Sequence, residues 1–455
     1  MADPIVAIVG AGPAGVRAAE VLARAGLAPI VFDEAERPGG QIYRQPPVAA
    51  GRRESTAIYG FEAKKAASIH RAFGSARDRI DHRPRTLVWN VFDGRLDLLT
   101  PDGYAVQPFD RLVLATGAMD RALPFQGWTL PGVFTLGAAQ IALKAQGVSI
   151  GRRVALIGAG PLLPLVAHQY AKAGIDVVAA LDATPFGAKV AQIPGLLASA
   201  ATAAKGAWYT GRNRLRGLGV RYDVRSIRVE GEGRVEALVW REAAGGERRV
   251  ACDAVGASFG LRPEAQLADL AGCRFVFAAE TRQWIPERSA EGRSSLPGVY
   301  LAGDGARIGG ADVAELQGLR TALAVLEDLG RDVDRRETAR LDRALERQAR
   351  FGRALDAAYP FPGHLLDAVG DDEIVCRCEG ITAATLRQAA RDKDAREMNR
   401  VKALTRIGMG RCQGRVCGEA AAELLARACD ADLASVGRLR CQPPVKPIPI
   451  LASAS

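Results

Sequence analysis

The sequence predicts an α/β chain of two dinucleotide-binding units in tandem, followed by a small helical module near the C-terminal end. Three stretches carry that expectation. A strand, a glycine turn and a helix span residues 5–25, a second unit of the same pattern begins at residue 153, and four paired cysteines lie between residues 376 and 417.

Ile5-Val-Ala-Ile-Val9 is apolar and rich in β-branched residues, which reads as a buried strand. Gly10-Ala-Gly12-Pro13-Ala14-Gly15 follows it directly and opens a helix over residues 16–25. In this arrangement Gly10 makes the tight turn, Gly12 lets the backbone approach a pyrophosphate, and Gly15 lets helix and strand pack closely. The unpaired N–H groups of the helix N-terminus then receive phosphate. A second strand over residues 29–32 ends in Asp33 and Glu34, where a carboxylate is expected to accept from a ribose hydroxyl; Asp33 is the better placed. The loop Arg37-Pro-Gly-Gly40-Gln41-Ile-Tyr-Arg44 has paired glycines that allow close backbone approach to a ligand, making Gly40, Gln41 and Arg44 candidate contacts. Strands of a small sheet follow at 85–91 and 95–99, and a buried strand over 111–115 ends in Thr116-Gly117.

The second unit has a strand over 153–157, the turn Gly158-Ala-Gly160-Pro-Leu-Leu163, and a strand over 175–181 ending at Asp182. Leu163 stands where a third glycine would admit the helix, and Pro164 follows it, so the helix is expected to start late or stand off. Gly158, Gly160 and Asp182 are candidates for a second nucleotide site. No arginine follows Asp182 closely to receive a 2′-phosphate, which favours NAD or another adenylate such as ATP over NADP. A retained fold with a disused site is the competing reading. Strands at 220–228, 235–241 and 248–251 suggest a meander, and 253–259 a return strand. The chain then goes back to the first unit through a strand at 298–302, Gly303-Asp304 and a helix over 313–329, and a charged helical stretch from 331 to 355 leads onward.

The length of 455 residues suits about three domains. The net charge of +10 is spread along the chain without basic runs or interleaved aromatics, which argues against nucleic-acid binding. It reads as a solvated surface, with an acidic partner protein or an anionic membrane surface as the other readings. No apolar run has the length of a membrane span, and the N-terminal run already serves as a strand rather than a signal peptide. A cytoplasmic protein is expected, with peripheral placement at the inner membrane as the alternative. His70, His82, His168 and His364 stand far apart and read as structural.

Of eight cysteines none forms a C-x-x-C pair, so a dithiol redox centre is not expected. Cys376-Arg-Cys378 and Cys412-Gln-Gly-Arg-Val-Cys417 form two close pairs flanking a helical stretch. That suits a [2Fe–2S] cluster, in which each iron takes two thiolates besides the bridging sulfides. Arg377, Lys402, Arg406, Arg411 and Arg415 are expected to offset an anionic cluster, while Gly408, Gly410, Gly414 and Gly418 free backbone N–H groups for the sulfurs. A zinc ion on the same four thiolates is the alternative, although the spacing departs from ordinary zinc fingers. Cys252, Cys273, Cys429 and Cys441 read as buried, inert thiols.

The order of these units resembles the flavoprotein alpha subunits of opine oxidase (octopine and nopaline dehydrogenase), D-hydroxyproline dehydrogenase and hydrogen cyanide synthase, over nearly the whole chain. Its most specific pieces are 38–44, Ala115-Thr116-Gly117, 124–132 and 402–417, the last similar to the cluster domain of bacterioferritin-associated ferredoxin. The resemblance implies a two-dinucleotide-binding-domain flavoprotein of the glutathione and thioredoxin reductase type, with a small helical C-terminal [2Fe–2S] module. It places an FAD-binding domain at 1–118 and 291–330, a second dinucleotide-binding-like domain at 119–290, a helical linker at 331–370, a [2Fe–2S] domain at 371–430 and a tail at 431–455. FAD would be held by Gly10, Gly12, Pro13, Ala14, Gly15, Asp33, Glu34, Gly40, Gln41, Arg44, Thr116, Gly117, Gly303 and Asp304. In the resembling flavoproteins the aspartate of Gly303-Asp304 binds the ribityl or pyrophosphate region, and the helix after it faces the pyrimidine edge of the flavin, where its positive end favours a reduced, anionic ring. The cluster ligands would be Cys376, Cys378, Cys412 and Cys417.

The resemblance further implies partners: an FAD-containing beta subunit similar to D-amino-acid oxidase that oxidises a secondary amine or imino acid, and a small ferredoxin-like gamma subunit. This chain would receive and relay electrons. The residues agree, since no general base, nucleophile or substrate carboxylate clamp stands out and no catalytic residue is assigned. Two other readings stay open: a self-sufficient NADH-dependent flavin and iron–sulfur reductase, and a structural or regulatory subunit that holds an adenylate.

Overall fold

The computed structural model describes residues 3–46, 59–243 and 245–450; the stretch 47–58, part of the segment after Gln45, lies outside them. The first unit is built on a parallel sheet in the order Val299–Leu301, Arg111–Leu114, Val6–Val9, Ile30–Phe32, Asp81–Arg83. Side chains alternate across it, as the period of two requires. Val6, Ile8 and Val113 meet the helices Pro13–Arg24, Ala63–Ser75 and Ala311–Asp328 on one face. Ala7, Val9, Leu112 and Leu114 meet the antiparallel sheet of Leu87–Phe92, Arg95–Thr100 and Gly103–Pro108 on the other. Burial on both faces is why these parallel strands read as continuous apolar runs.

The second unit has the parallel order Asp176–Asp182, Arg153–Gly158, Ala254–Ser258, Val133–Thr135. An antiparallel meander of Val224–Glu230, Ala237–Glu242 and Glu247–Ala251 completes it. Its first helix departs from expectation: it begins at Leu162, without delay. Pro164 falls in the first turn, where N–H groups have no intrahelical partner to lose. Leu163 is buried among Val154, Leu156 and Val166, so the position that takes a glycine in the first unit fills core here. A helical insert, with its longest helix at Ala200–Leu215, packs between this unit and the helix Arg335–Ala358. The sequence pattern announces no element there, because that helix buries only Asn213 and shows no apolar stripe to detect.

Leu267, Ala268 and Cys273 share a core with Leu112, Leu114 and Val299 of the first unit, although the sequence places the second unit as far as 290; Phe277 packs with the core of the second unit and the cluster module. The cluster module, with helices Ala383–Asp392, Met398–Thr405 and Gly418–Cys429, shares its core with the second unit, Leu386, Val401 and Leu425 clustering with Leu181, Trp240 and Val255. The Trp128 indole N–H donates to Ile374 O at 2.6 Å, and the His364 ring meets Val224 O at 2.9 Å. After the module the chain runs back as a strap. Arg438 grips Asp269 with two bonds of 2.6 and 2.7 Å, and Val445 is buried in the first unit's core with its N–H on Trp89 O. Among the described residues no helix is long and apolar enough to cross a membrane.

Candidate functional site

A cavity of about 1790 Å³ opens along the carboxyl ends of the first sheet. Gly10, Gly12, Pro13, Ala14, Asp33, Glu34, Gly40, Gln41, Arg44, Thr116, Gly117, Gly303 and Asp304 all line it; Gly15 does not. Gly15 is instead a packing residue, since a Cβ there would collide with Gly10 O. Gly10 has φ +104°, and a Cβ on it would collide with Ala115 O. By contrast a Cβ on Gly12 would meet nothing closer than Gly40 Cα at 3.7 Å. Space in front of Gly12 is kept open by the fold, as a pyrophosphate requires. We expect Gly10→Ala to lower stability by about 1–3 kcal/mol and to reduce the flavin-to-protein ratio of the purified chain; unchanged flavin content together with unchanged thermal unfolding would contradict this account of the turn.

Asp33 accepts from Ala11 N at 2.5 Å and from Ala35 N at 2.6 Å, one on each oxygen. Burial pushes its carboxyl above the usual range, with the two N–H groups opposing. Each oxygen keeps a lone pair for a ribose hydroxyl. Glu34 pairs with Lys446 of the C-terminal strap. The Arg44 Nε is buried without a partner among the described residues, a cation that suits a pyrophosphate. Asp304 accepts from Gly309 N at 2.8 Å and Gly310 N at 3.0 Å on the same oxygen, and burial raises it as well. That turn aims the N-terminus of Ala311–Asp328 at the cavity, whose wall includes Ala311 to Ala314. The residues present fit FAD.

The second candidate site is arranged differently. Gly158, Gly160 and Asp182 do not line the cavity. A Cβ on Gly158 would collide with Ser258 O, so this glycine serves strand packing. Asp182 is 2 % exposed and fully engaged, accepting from Thr184 N at 2.9 Å and Thr184 Oγ1 at 2.6 Å and pairing with Lys189 at 3.2 Å. Lys189 in turn lies over the rings of Tyr222 and Tyr359, at 5.0 and 4.5 Å. The carboxylate that would hold a second ribose is occupied by the chain itself.

The four candidate ligands of the cluster come together. Their sulfurs form a chain of contacts, Cys376 to Cys417 to Cys412 to Cys378. Among the described residues no three His, Cys, Asp or Glu side chains are gathered as one ion requires. Backbone N–H groups of Gly408 and Glu379 point at the Cys376 sulfur, and those of Val416 and Gly414 at Cys412. The Cys417 thiol donates to both neighbours, which draws Cys376 down to about 6 and holds Cys412 low, while Cys417 itself is pushed up. Burial raises Cys378 as well, so two of the four sulfurs are held toward the thiolate; with the sulfur-directed N–H groups they suit a [2Fe–2S] cluster. Gly410 has to be glycine, because a Cβ there would collide with that of Cys378.

Three of the five cations expected to offset the cluster are engaged by other partners. Arg406 is paired with Glu379 at 2.9 Å and Arg415 with Glu264 at 2.7 Å, while Lys402 donates to Arg440 O and Gln442 Oε1 in the strap. Arg377 lies over the Trp128 ring, and Arg411 is exposed. Carboxylates and carbonyls near these side chains compete for them, and backbone N–H groups take over at the sulfurs. Of the four lone thiols, Cys252 and Cys273 are buried, but Cys429 and Cys441 are only half-buried.

Sequence reasoning missed Glu264 and the use made of Arg415. The Glu264 N–H donates to Gly117 O at 2.9 Å, its carbonyl accepts from the Thr116 hydroxyl, and its side chain accepts from Arg415 Nε. Arg262 donates to Arg415 O and Gln266 to Gln413 O, both at 2.7 Å. Arg415 and Val416 thereby enter the wall of the FAD cavity. No local motif announces these contacts.

Comparison with known proteins agrees with this geometry. Residues 4–318 match the pyridine nucleotide-disulphide oxidoreductase family and residues 374–427 the BFD-like [2Fe-2S] binding domain. An opine oxidase subunit of Rhizobium meliloti is 38% identical over 97% of this chain and 86% of that protein. Hydrogen cyanide synthase subunit HcnB of Pseudomonas aeruginosa is 32% identical over 98% and 97%. The crystal structure of L-proline dehydrogenase from P. horikoshii superposes with a TM-score of 0.71 at 20% identity, over 98% of this chain and 78% of that one. With glycine turn, cavity, thiolate set and relatives in agreement, the chain belongs to the family of that opine oxidase subunit within the pyridine nucleotide-disulphide oxidoreductases, and is an oxidoreductase whose cofactors are FAD and a [2Fe–2S] cluster.

Proposed function

We propose that this chain is the electron-transfer subunit of a heteromeric dehydrogenase or oxidase acting on an amine or imino acid of the opine, hydroxyproline or glycine type. In this reading a D-amino-acid-oxidase-like flavoprotein partner oxidises the substrate and a small ferredoxin-like third subunit completes the complex. One observation carries it: the loop between Cys412 and Cys417 supplies Arg415 and Val416 to the wall of the FAD cavity. FAD exchanges electron pairs and a [2Fe–2S] cluster carries single electrons. This chain's residues join the two sites that would hold them: Glu264 ties the cluster loop to Thr116 and Gly117, and the helix N-terminus at Gly310 offers partial positive charge to the cavity. The relatives whose names call them subunits of opine oxidase and of hydrogen cyanide synthase support an assembled enzyme.

The test is an anaerobic titration of the purified chain, following flavin and cluster absorbance together. NADH is expected to leave both centres oxidised while dithionite reduces both, because Asp182 is engaged by Lys189 and Thr184. Prompt bleaching by NADH would overturn the relay and establish a self-sufficient reductase.

A further inference from the structure

The cavity is larger than one cradle needs. Its volume of about 1790 Å³ exceeds the roughly 300–1,000 Å³ of an ordinary small-molecule site. Beyond the FAD cradle its walls continue under the helical insert, where Ile141, Leu165, Ile193, Leu197 and Tyr209 line it. Polar side chains reach this annex as well, among them Gln140, Gln169, Thr210 and Lys144.

Lys144 lines the same cavity from a single π-helical turn, Ala142–Gln146, that continues the helix Leu136–Ile141. Such turns re-aim side chains and recur at functional sites. Other lysines of the wall are neutralised: Lys65 pairs with Asp312 at 2.5 Å, Lys205 with Glu62, and Lys189 with Asp182. Lys144 has no ion-pair or hydrogen-bond partner among the described residues, and the charge acting on it is the more distant Glu62. Burial lowers it to about 8, which leaves it mostly protonated at neutral pH. One turn earlier, Gln140 donates to Gln169 Oε1 at 3.1 Å, so two amides stand beside the ammonium's helix face. Lys144 is half-buried, and an ammonium partly withdrawn from water with no ion-pair partner of its own is available to an anion.

We propose that Lys144 anchors a second ligand site beside the flavin, one that takes a small apolar molecule bearing a single carboxylate. One cation balances one charge; a phosphate dianion would leave a second charge uncompensated, because Lys65, Lys189 and Lys205 of the wall are already paired. The carboxylate pairs with Lys144 while the apolar body fills the annex beneath the insert. This inference rests on the FAD reading of the cradle and extends it to what approaches the flavin.

The experiment uses the full chain, with flavin content measured first for the wild type, Lys144→Met and Lys144→Arg. Benzoate is the probe and benzamide, of the same shape without the charge, the control, followed by flavin difference absorbance and by tryptophan fluorescence. Benzoate is expected to bind the wild type and the Arg variant and to weaken by about 10–100-fold in Lys144→Met, the loss of one charge-assisted hydrogen bond. Benzamide is expected to bind all three weakly and alike. Equal benzoate affinity in wild type and Lys144→Met, or no benzoate response in the wild type by either signal, would overturn the site. So would a ligand-free Lys144→Met whose flavin spectrum is shifted as far as benzoate shifts the wild type, since Lys144 would then belong to the flavin contact itself. Failure of the FAD reading is distinguishable, because the wild type would then neither retain nor rebind flavin while the fluorescence response to benzoate persisted.

Discussion

Cys412→Ser is expected to abolish the iron–sulfur signal and leave FAD bound. Cys412 is the sulfur through which Cys378 joins the other two, contacting both Cys378 and Cys417, so its loss leaves one iron a single thiolate short. Iron content should fall by more than the ~10–100-fold that changes outside the ligand set cause. The flavin cradle lies on other elements, Gly10 to Gly15, Asp33 and the Asp304 turn, and the link from Glu264 reaches Arg415 rather than Cys412. Iron analysis and visible spectra of the purified variant decide the matter. Loss of both signals would mean that the loaded cluster loop is required to keep the flavin cavity closed.

The second large effect is on stability. Glu423 is 0 % exposed and sits at the centre of a charge network that docks the cluster module. Arg282 holds it with bonds of 2.7 and 2.8 Å, Arg427 with one of 2.8 Å, and Arg121 lies at 4.0 Å. Arg121 is itself buried, paired with Glu419 at 2.7 Å and stacked on Phe361 at 3.9 Å. Removing the charge of Glu423 takes the buried carboxylate acceptor from the partly exposed Arg282 and Arg427, while Arg121 keeps Glu419, so Glu423→Gln is expected to cost about 1.5–3 kcal/mol in chemical denaturation.

The same carboxylate gives a pH signature. Burial alone would raise Glu423, but the hydrogen bonds from Arg282 and Arg427 outweigh it and hold the group below its ordinary value. A depressed carboxyl contributes stability that is complete above its unfolded value of about 4.3 and is lost as pH falls through the lower folded value. The wild type should therefore lose stability on acidification below about pH 4, with a steeper slope than Glu423→Gln. Parallel acid limbs for the two proteins would show that Glu423 does not carry this linkage.

Much of the molecule was legible in short stretches of sequence. The strand, turn and helix at Val6 to Arg24, the alternation of Val6 and Ile8 against Ala7 and Val9, and the paired cysteines are local patterns. Each is read from neighbouring residues because hydrogen bonding within an element and the burial of one face impose a period that survives any docking. A dinucleotide site and a metal–thiolate centre followed from those patterns, since a glycine turn before a helix and four paired thiolates answer to the ligand's chemistry; FAD as the dinucleotide came from the family resemblance.

Contacts between residues far apart in the chain were not legible. Asp182 looks like a ribose ligand by spacing, yet Lys189 and Thr184 reach it first. Arg415 looks like a counter-charge for the cluster, yet it pairs with Glu264, 151 residues away. The C-terminal strap reads as a tail, yet Val445 completes the first unit's core. The sequence by itself determined the two sheets, the glycine cradle and the thiolate set. Only the tertiary structure decided which charges neutralise one another, which site stays open and how the cluster loop reaches the flavin cavity. The reason is physical: a charged side chain takes whichever partner the docked elements bring within a few ångströms, and that choice has no signature in its own neighbourhood.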